Sequence, residues 1–162
     1  MIMNTLRTIL VPIDGSAASL AALDHAVTLA SDYDAQVEVL HIVPDEDPLS
    51  PQARAEVTDA MQAAVDLATE VLGDRLAYTI IVGDPLREII DAASDDVDLI
   101  VIGTHGRIGR LHAILGSIAE GVVRNAPVPV LSVRDASEGY QGFAEARHHR
   151  PTITEQAQRH DT

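Results

Sequence analysis

The residues best suited to chemistry lie in one stretch, Gly103-Thr104-His105-Gly106-Arg107-Ile108-Gly109-Arg110, with Gly116-Ser117 following shortly after. Small residues let backbone N–H groups approach an anion. A helix N-terminus adds unpaired donors and the positive end of its dipole. The Ser117 hydroxyl can donate to a phosphate oxygen, and Arg107 and Arg110 bring positive charge close by. The combination suits a polyphosphate. The same residues also have a plainer use. Ser117-Ile118-Ala119-Glu120 spells a capping box, which needs no ligand, and Gly106 and Gly109 can simply turn the chain. Generic physics leaves both uses open.

Other polar side chains carry weaker signals. Asp14 follows an apolar run and offers an acceptor, but it can equally cap the next helix in competition with Ser16. His41, His105 and His112 are expected to lie apart, with His41 on a strand, so no histidine relay is expected. His148, His149 and His160 fall in a polar tail and are expected to be solvated, as is the acidic run Asp45-Glu46-Asp47. The chain has no GxSxG elbow, no GxxxxGK[ST] loop and no HExxH pair. Without cysteine there is no disulfide, thiolate zinc site or Cys nucleophile. Without lysine there is no phosphate-loop lysine and no Schiff base. No catalytic residue and no protein metal site is expected.

The elements that must position these residues alternate regularly. Apolar runs at 8–13, 36–43, 76–82, 98–102 and 128–133 read as strands, each too continuously apolar to have a wet face. Helical spacing runs through 17–31, 52–72 and the segment after Pro85, and again from Ser117 to Asn125. Asp84 reads as an N-cap with Pro85 at the first helical position. The alternation predicts an α/β fold, a doubly wound parallel sheet with helices on both faces. Ligands of such sheets bind outside the carboxyl ends of the strands, here Asp14, 42–44, 83–84 and 103–106.

Size and charge bound the answer. The chain has 162 residues, 46% of them hydrophobic, enough for one domain with a real core. Residues 1–134 hold the strand and helix pattern; 135–162 contain a single large aliphatic, Ile153, and read as a flexible tail. The formal net charge is −14, from 25 acids, 16 of them Asp, against 11 arginines. That sign opposes a phosphate backbone or an anionic membrane surface, so neither nucleic acid nor membrane is an expected partner. Aromatic side chains, at 2% of residues, are too few for a base-stacking platform. The Asp-rich, lysine-free balance reads as adaptation to concentrated salt, which screens self-repulsion. No apolar stretch approaches the roughly 20 residues of a membrane span. The N-terminus lacks the plan of a signal peptide. A cytoplasmic location is expected.

At this point a specific resemblance emerges. Gly103-x2-Gly106-x9-Gly116-Ser117 resembles the nucleotide-binding signature G-2x-G-9x-G-[ST] of the universal stress protein family. Ile9-Leu10-Val11-Pro12-Ile13-Asp14-Gly15-Ser16 resembles that family's first strand and turn, and Leu40-His41-Ile42-Val43 its second strand end. Gly83-Asp84-Pro85 and Ala126-Pro127-Val128-Pro129-Val130-Leu131-Ser132-Val133-Arg134 resemble its third turn and closing strand, so the likeness spans 7–134. The resemblance implies a five-stranded sheet in the order 3-2-1-4-5, adenine nucleotide alpha hydrolase-like, with one ATP at the switch point between the first and fourth strands. Carried over by position, Pro12 would line the site, Asp14 would contact ribose or adenine, and the Ile42 backbone would bond the adenine edge. Gly103 would lie against the ribose, with His105 and Arg107 beside it. Gly106, Gly116 and Ser117 would hold phosphates. Mg²⁺ or Mn²⁺ would be carried mainly by the phosphates and water.

The resemblance further implies a homodimer through the edge strand at 128–133, where Pro127 and Pro129 limit the available N–H groups. The leading expectation is a nucleotide-binding regulator of the stress response that works through ligand-dependent conformation, with ATP, AMP and cyclic nucleotides not distinguished by glycines alone. A slow ATPase using Asp14 and His105, and an interaction module with an unoccupied site, are the competing expectations. No residue is an evident general base for water, so strong hydrolysis is not expected.

Overall fold

A computed structural model of the chain describes residues 6–47, 49–94, 96–105 and 115–134. Among these residues five strands and four helices alternate: β1 (Thr8–Ile13), α1 (Ala17–Tyr33), β2 (Gln36–Val43), α2 (Pro51–Leu72), β3 (Leu76–Val82), α3 (Pro85–Ala92), β4 (Leu99–Gly103), α4 (Ser117–Asn125) and β5 (Val130–Val133). A short 3-10 turn, Gly73–Arg75, joins α2 to β3. The strands form one sheet in the order β3-β2-β1-β4-β5, with every neighbouring pair parallel. The expected order and fold class are therefore those found.

The alternation of side chains across the sheet builds two cores. Ile9, Val11, Ile13, Val37, Val39 and Val101 point to one face and pack with Met61, Val65, Ala68 and Leu72 of α2 and with α1. Leu10, Leu40, Ile42, Ile100 and Ile102 point to the other and pack with Ile89, Ala93, Ala119 and Val122 of α3 and α4. Each strand residue changes face with its neighbour because the strand period is two. That is why β1, covered on both sides, is apolar at nearly every position and buried throughout.

The helix starts carry their own chemistry. Ser50 caps α2 by accepting from Ala53 N, with Pro51 in the first turn, one residue earlier than the apolar pattern alone indicates. Asp84 caps α3 by accepting from Arg87 N at 2.8 Å, as expected. Two strands start later than expected. The Asp98 carboxylate accepts from the N–H groups of Arg7 and Thr8, so this residue ties strand starts together rather than extending β4. Pro129 precedes β5 because it has no N–H to donate; its carbonyl still accepts from Ile100 N at 3.0 Å.

Candidate functional site

The order of the strands reverses between β1 and β4, and a cavity of about 290 Å³ opens there at their carboxyl ends. It is near the lower end of ligand-pocket sizes. Its two sides differ. Leu40, Ile42, Pro44 and Leu49, from β2 and the chain that follows it, make an apolar wall. Thr104, His105, Gly116 and Ser117, from the end of β4 and the start of α4, make a polar one. Ile89 of α3 and Ile102 of β4 also line it.

The turn after β1 is held by its own side chains. Asp14 Oδ1 accepts from Ser16 N at 2.9 Å, and Ser16 Oγ accepts from Ser19 N at 3.2 Å. Ser16, not Asp14, is thus the cap of α1. The Asp14 backbone N–H donates to Ser19 Oγ, and Ser19 Oγ–H donates to the Ser16 carbonyl. Gly15 sits at φ +79°, a conformation that side chains disfavour. The Ser16 hydroxyl also reaches the carbonyl of His105 at 3.1 Å, joining the first loop to the end of β4.

Gly103 ends β4 against helix α1. A Cβ there would lie 2.6 Å from Ala18 C and 2.7 Å from Ser19 N. The first glycine of the signature is therefore required by backbone packing, whatever it faces in the cavity. Beyond it, Thr104 N donates to Val133 O, and Gly116 N donates to Thr104 O at 2.6 Å. The Gly116 N–H is thus engaged within the protein. Among the described residues, the N–H groups of Ser117, Ile118 and Ala119 have no partner at this end, because the first intrahelical bond of α4 runs from Glu120 N to Gly116 O.

The capping-box use of Ser117 fails. Gly116 occupies the N-cap position without a side-chain bond, and Ser117 is the first helical residue. Glu120 turns away and pairs with Arg124 at 2.9 Å. Among the described residues, Ser117 therefore makes no capping bond of the expected kind. Of His41, His105 and His112, the two among the described residues, His41 and His105, have separate partners. His41 is buried with Nδ1 3.0 Å from the Ile13 carbonyl, and His105 Nδ1 lies 3.0 Å from Thr104 Oγ1.

A model of the universal stress protein family matches residues 5–134. The chain belongs to that family. It is 34% identical over 144 residues to universal stress protein MJ0531 of Methanocaldococcus jannaschii, covering 81% of this chain and 84% of that one. It superposes on a universal stress protein in complex with cAMP with TM-score 0.63 and 25% identity, over 81% of this chain and 98% of the other. It superposes on the universal stress protein of Archaeoglobus fulgidus in complex with dAMP with TM-score 0.59 and 25% identity, over 80% and 98%.

Of the residues singled out in the sequence of this family member, Pro12, Asp14, Ile42, Gly103, His105, Gly116 and Ser117 all line the same cavity. Gly106 and Arg107 lie outside the described residues, as do His112, Arg110 and the segment 135–162. Sequence reading misses Asp47. The sequence groups it with solvated neighbours, yet its side chain is only 9% exposed, lines the cavity and pairs with Arg54. No short motif announces it, because its partner lies in another element, the first turn of α2. Leu40, Ile89 and Ile102 read in sequence only as core; their place at strand and helix ends near the crossover is the available signal. Among the described residues no cluster of acidic or histidine side chains could hold a metal ion. No described helix is long and apolar enough to cross a membrane.

Proposed function

We propose that this universal stress protein binds an adenine nucleotide, ATP or AMP, at the crossover cavity and acts as a ligand-dependent regulator. The observation that carries the reading is the pairing of an apolar wall with an open helix N-terminus in one cavity. The apolar wall of Leu40, Ile42 and Leu49 suits a base. The N–H groups of Ser117, Ile118 and Ala119, with the Ser117 hydroxyl, suit a phosphate. Asp14, which lines the same cavity, suits a sugar hydroxyl. The cAMP and dAMP carried by the two structural neighbours support the adenine part of the reading. A divalent ion would travel on the phosphates, since the described side chains offer it no cage.

The test is titration calorimetry of AMP and Mg-ATP on protein stripped of nucleotide, in about 2 M KCl to screen self-repulsion. Ser117→Asp is the control. A carboxylate at the first helical position favours the helix by about 0.3–1 kcal/mol, while it repels an anion. Micromolar binding that falls at least about tenfold in a variant melting no lower than wild type supports the site; a tenfold loss is about 1.4 kcal/mol. Unchanged affinity in Ser117→Asp places the phosphate elsewhere. No heat with any nucleotide ends the reading.

The same proposal includes a homodimer through β5, which is an edge of the sheet. The carbonyls of Pro129 and Val133 accept from β4 and the residue after it, so by alternation the backbone groups of Val130 and Ser132 face away from β4. Pro127 and Pro129 share the inward phase and leave that outer edge unblocked. Light scattering at tens of micromolar tests this; a strict monomer overturns it.

A further inference from the structure

The sheet has a second edge, at β3, opposite to β5. Gly83 N donates to Val43 O at 3.0 Å. By alternation Thr79 and Ile81 also turn their backbone groups toward β2, while Tyr78, Ile80 and Val82 turn theirs outward. Among the described residues those outward N–H and C=O groups have no hydrogen-bond partner. Leu76, next in phase, differs, because its N–H already donates to Gly73 O. The side chains of the same three residues share the α2 face of the sheet. Tyr78 packs there on the core, but Ile80 and Val82 are 54% and 66% exposed. From Leu76 to Gly83 the chain has no charged residue and no proline. Those are the devices that normally keep an exposed edge from pairing, and their absence stands out in a chain of net charge −14.

We propose that the β3 edge is an interface closed by a second copy of this chain, pairing antiparallel about a twofold axis at Ile80. That axis sets Ile80 opposite its own counterpart and Tyr78 opposite Val82 of the second copy. Each such pair exchanges both of its bonds, so every outward group of the three residues finds a partner in both copies. Neighbouring centres do worse. An axis at Thr79 sets Val82 opposite Leu76, whose N–H is taken. An axis at Ile81 sets Tyr78 opposite Asp84, whose carbonyl already accepts from Glu88 N. The edge is thus its own complement, as a twofold contact requires. Side chains agree with the backbone. Ile80 meets Ile80, and the Tyr78 ring meets Val82, an aromatic to β-branched pair of the kind that stabilises sheets. Charge agrees too. No like charges meet along the paired stretch, and each Asp84 comes opposite Leu76 of the second copy, next to Arg75. This interface is separate from the one proposed at β5, and copies joined through both edges form a chain rather than a closed pair.

The experiment is sedimentation velocity of the full chain, up to hundreds of micromolar in about 2 M KCl to screen self-repulsion. Ile80→Lys sets two ammonium groups against each other on the axis. Ile80→Pro removes the central outward N–H and spares the bonds to β2, which belong to Thr79 and Ile81. Tyr33→Lys is the control, a similar exchange at a 57% exposed residue at the end of α1. Thermal melting checks folding. Wild type is expected to associate, and both Ile80 variants to weaken that association at least about tenfold, with Tyr33→Lys unchanged. A fall to dimers supports this interface and keeps the β5 reading; a fall to monomers supports this interface and removes that reading. A second readout preserves the strand. The chain has no cysteine, so Ile80→Cys, facing its own counterpart, is expected to be joined into dimers by a short bis-maleimide much faster than Tyr33→Cys. Association unchanged in folded Ile80 variants, an equal loss in Tyr33→Lys, or equal cross-linking of the two cysteines overturns the proposal and leaves the edge to a strand of another protein. A strictly monomeric wild type overturns both interfaces.

Discussion

Replacing Gly103 with alanine puts one methyl group where β4 meets α1. The new Cβ would lie 2.6 Å from Ala18 C, 2.7 Å from Ser19 N and 2.9 Å from Ala18 O. Carbon atoms in contact prefer about 3.5–4.0 Å, so the overlap approaches an ångström. All three atoms are backbone, in the first turn of a helix, and no side-chain rotation relieves them. The helix start and the strand end must separate. Overpacking of a dense core costs about 1–3 kcal/mol, and a backbone clash belongs at the upper end. For a chain of this size each kcal/mol lowers the melting temperature by about 2–4 °C. Gly103→Ala is therefore expected to melt about 6–12 °C below wild type. Gly73→Ala is the comparison. Gly73 has φ +56° and ψ −129°, but a Cβ added there would meet nothing within 4 Å, so the change costs only the backbone conformation, about 1–3 kcal/mol. Thermal unfolding of both, followed by circular dichroism, decides the matter. A Gly103→Ala protein that melts within about 2 °C of wild type refutes the packing argument and returns this glycine to a ligand role alone.

Asp84→Ala removes the cap that accepts from Arg87 N; a loss of about 1 kcal/mol, or 2–4 °C in melting temperature, is expected. Arg75 donates to the carbonyls of Ala30 and Ala35 at 2.9 and 3.2 Å, tying the end of α1 to the start of β2; Arg75→Met is expected to cost about 1–3 kcal/mol by urea unfolding. Burial holds the His25 imidazole below its ordinary value of 6.5, with the Asp24 charge partly opposing. The unfolded chain then takes up that proton first. The His25 contribution is complete above about pH 6.5 and is lost as pH falls from there toward the depressed folded value. His25→Gln should accordingly flatten the stability profile between about pH 7 and 5 relative to wild type.

The fold was legible because the central strands alternate between two covered faces; the edge strand β3, expected to be covered like the others, instead leaves Ile80 and Val82 exposed because no strand lies beyond it. Leu10 and Ile9 are both buried, on opposite sides, and such runs are what a doubly wound sheet requires. Strand starts were less legible. Asp98 and Pro129 stand in apolar company but spend the chain's first pairing positions on other bonds, a side-chain link and a missing N–H, which hydropathy does not report. In the site, Gly103 and Gly116 of the spaced glycines line the cavity, but the spacing does not give the role of either. Gly103 answers to α1, and the Gly116 N–H to Thr104, through contacts between residues far apart in sequence. Asp47 was hidden for the same reason. Its acidic neighbours Asp45 and Glu46 are exposed, and only the fold turns the third acid inward.

The two cores are not equivalent with respect to the cavity. Leu40, Ile42, Ile89, Ile102 and Ala119 line it and belong to the core beneath α3 and α4, and Val128 and Val130, leading into β5, pack on that same core. A bound base would therefore finish the packing of the layer that also seats the outermost strand. The two helices of this layer span only 8 and 9 residues, against 17 and 22 on the other side. Occupancy would be felt first as stiffening, in slower amide exchange along α3, α4 and the β5 margin, while α1 and α2 carry on as before. The edge of the sheet would thus learn whether the cavity is full through a shared apolar floor, with no hinge required.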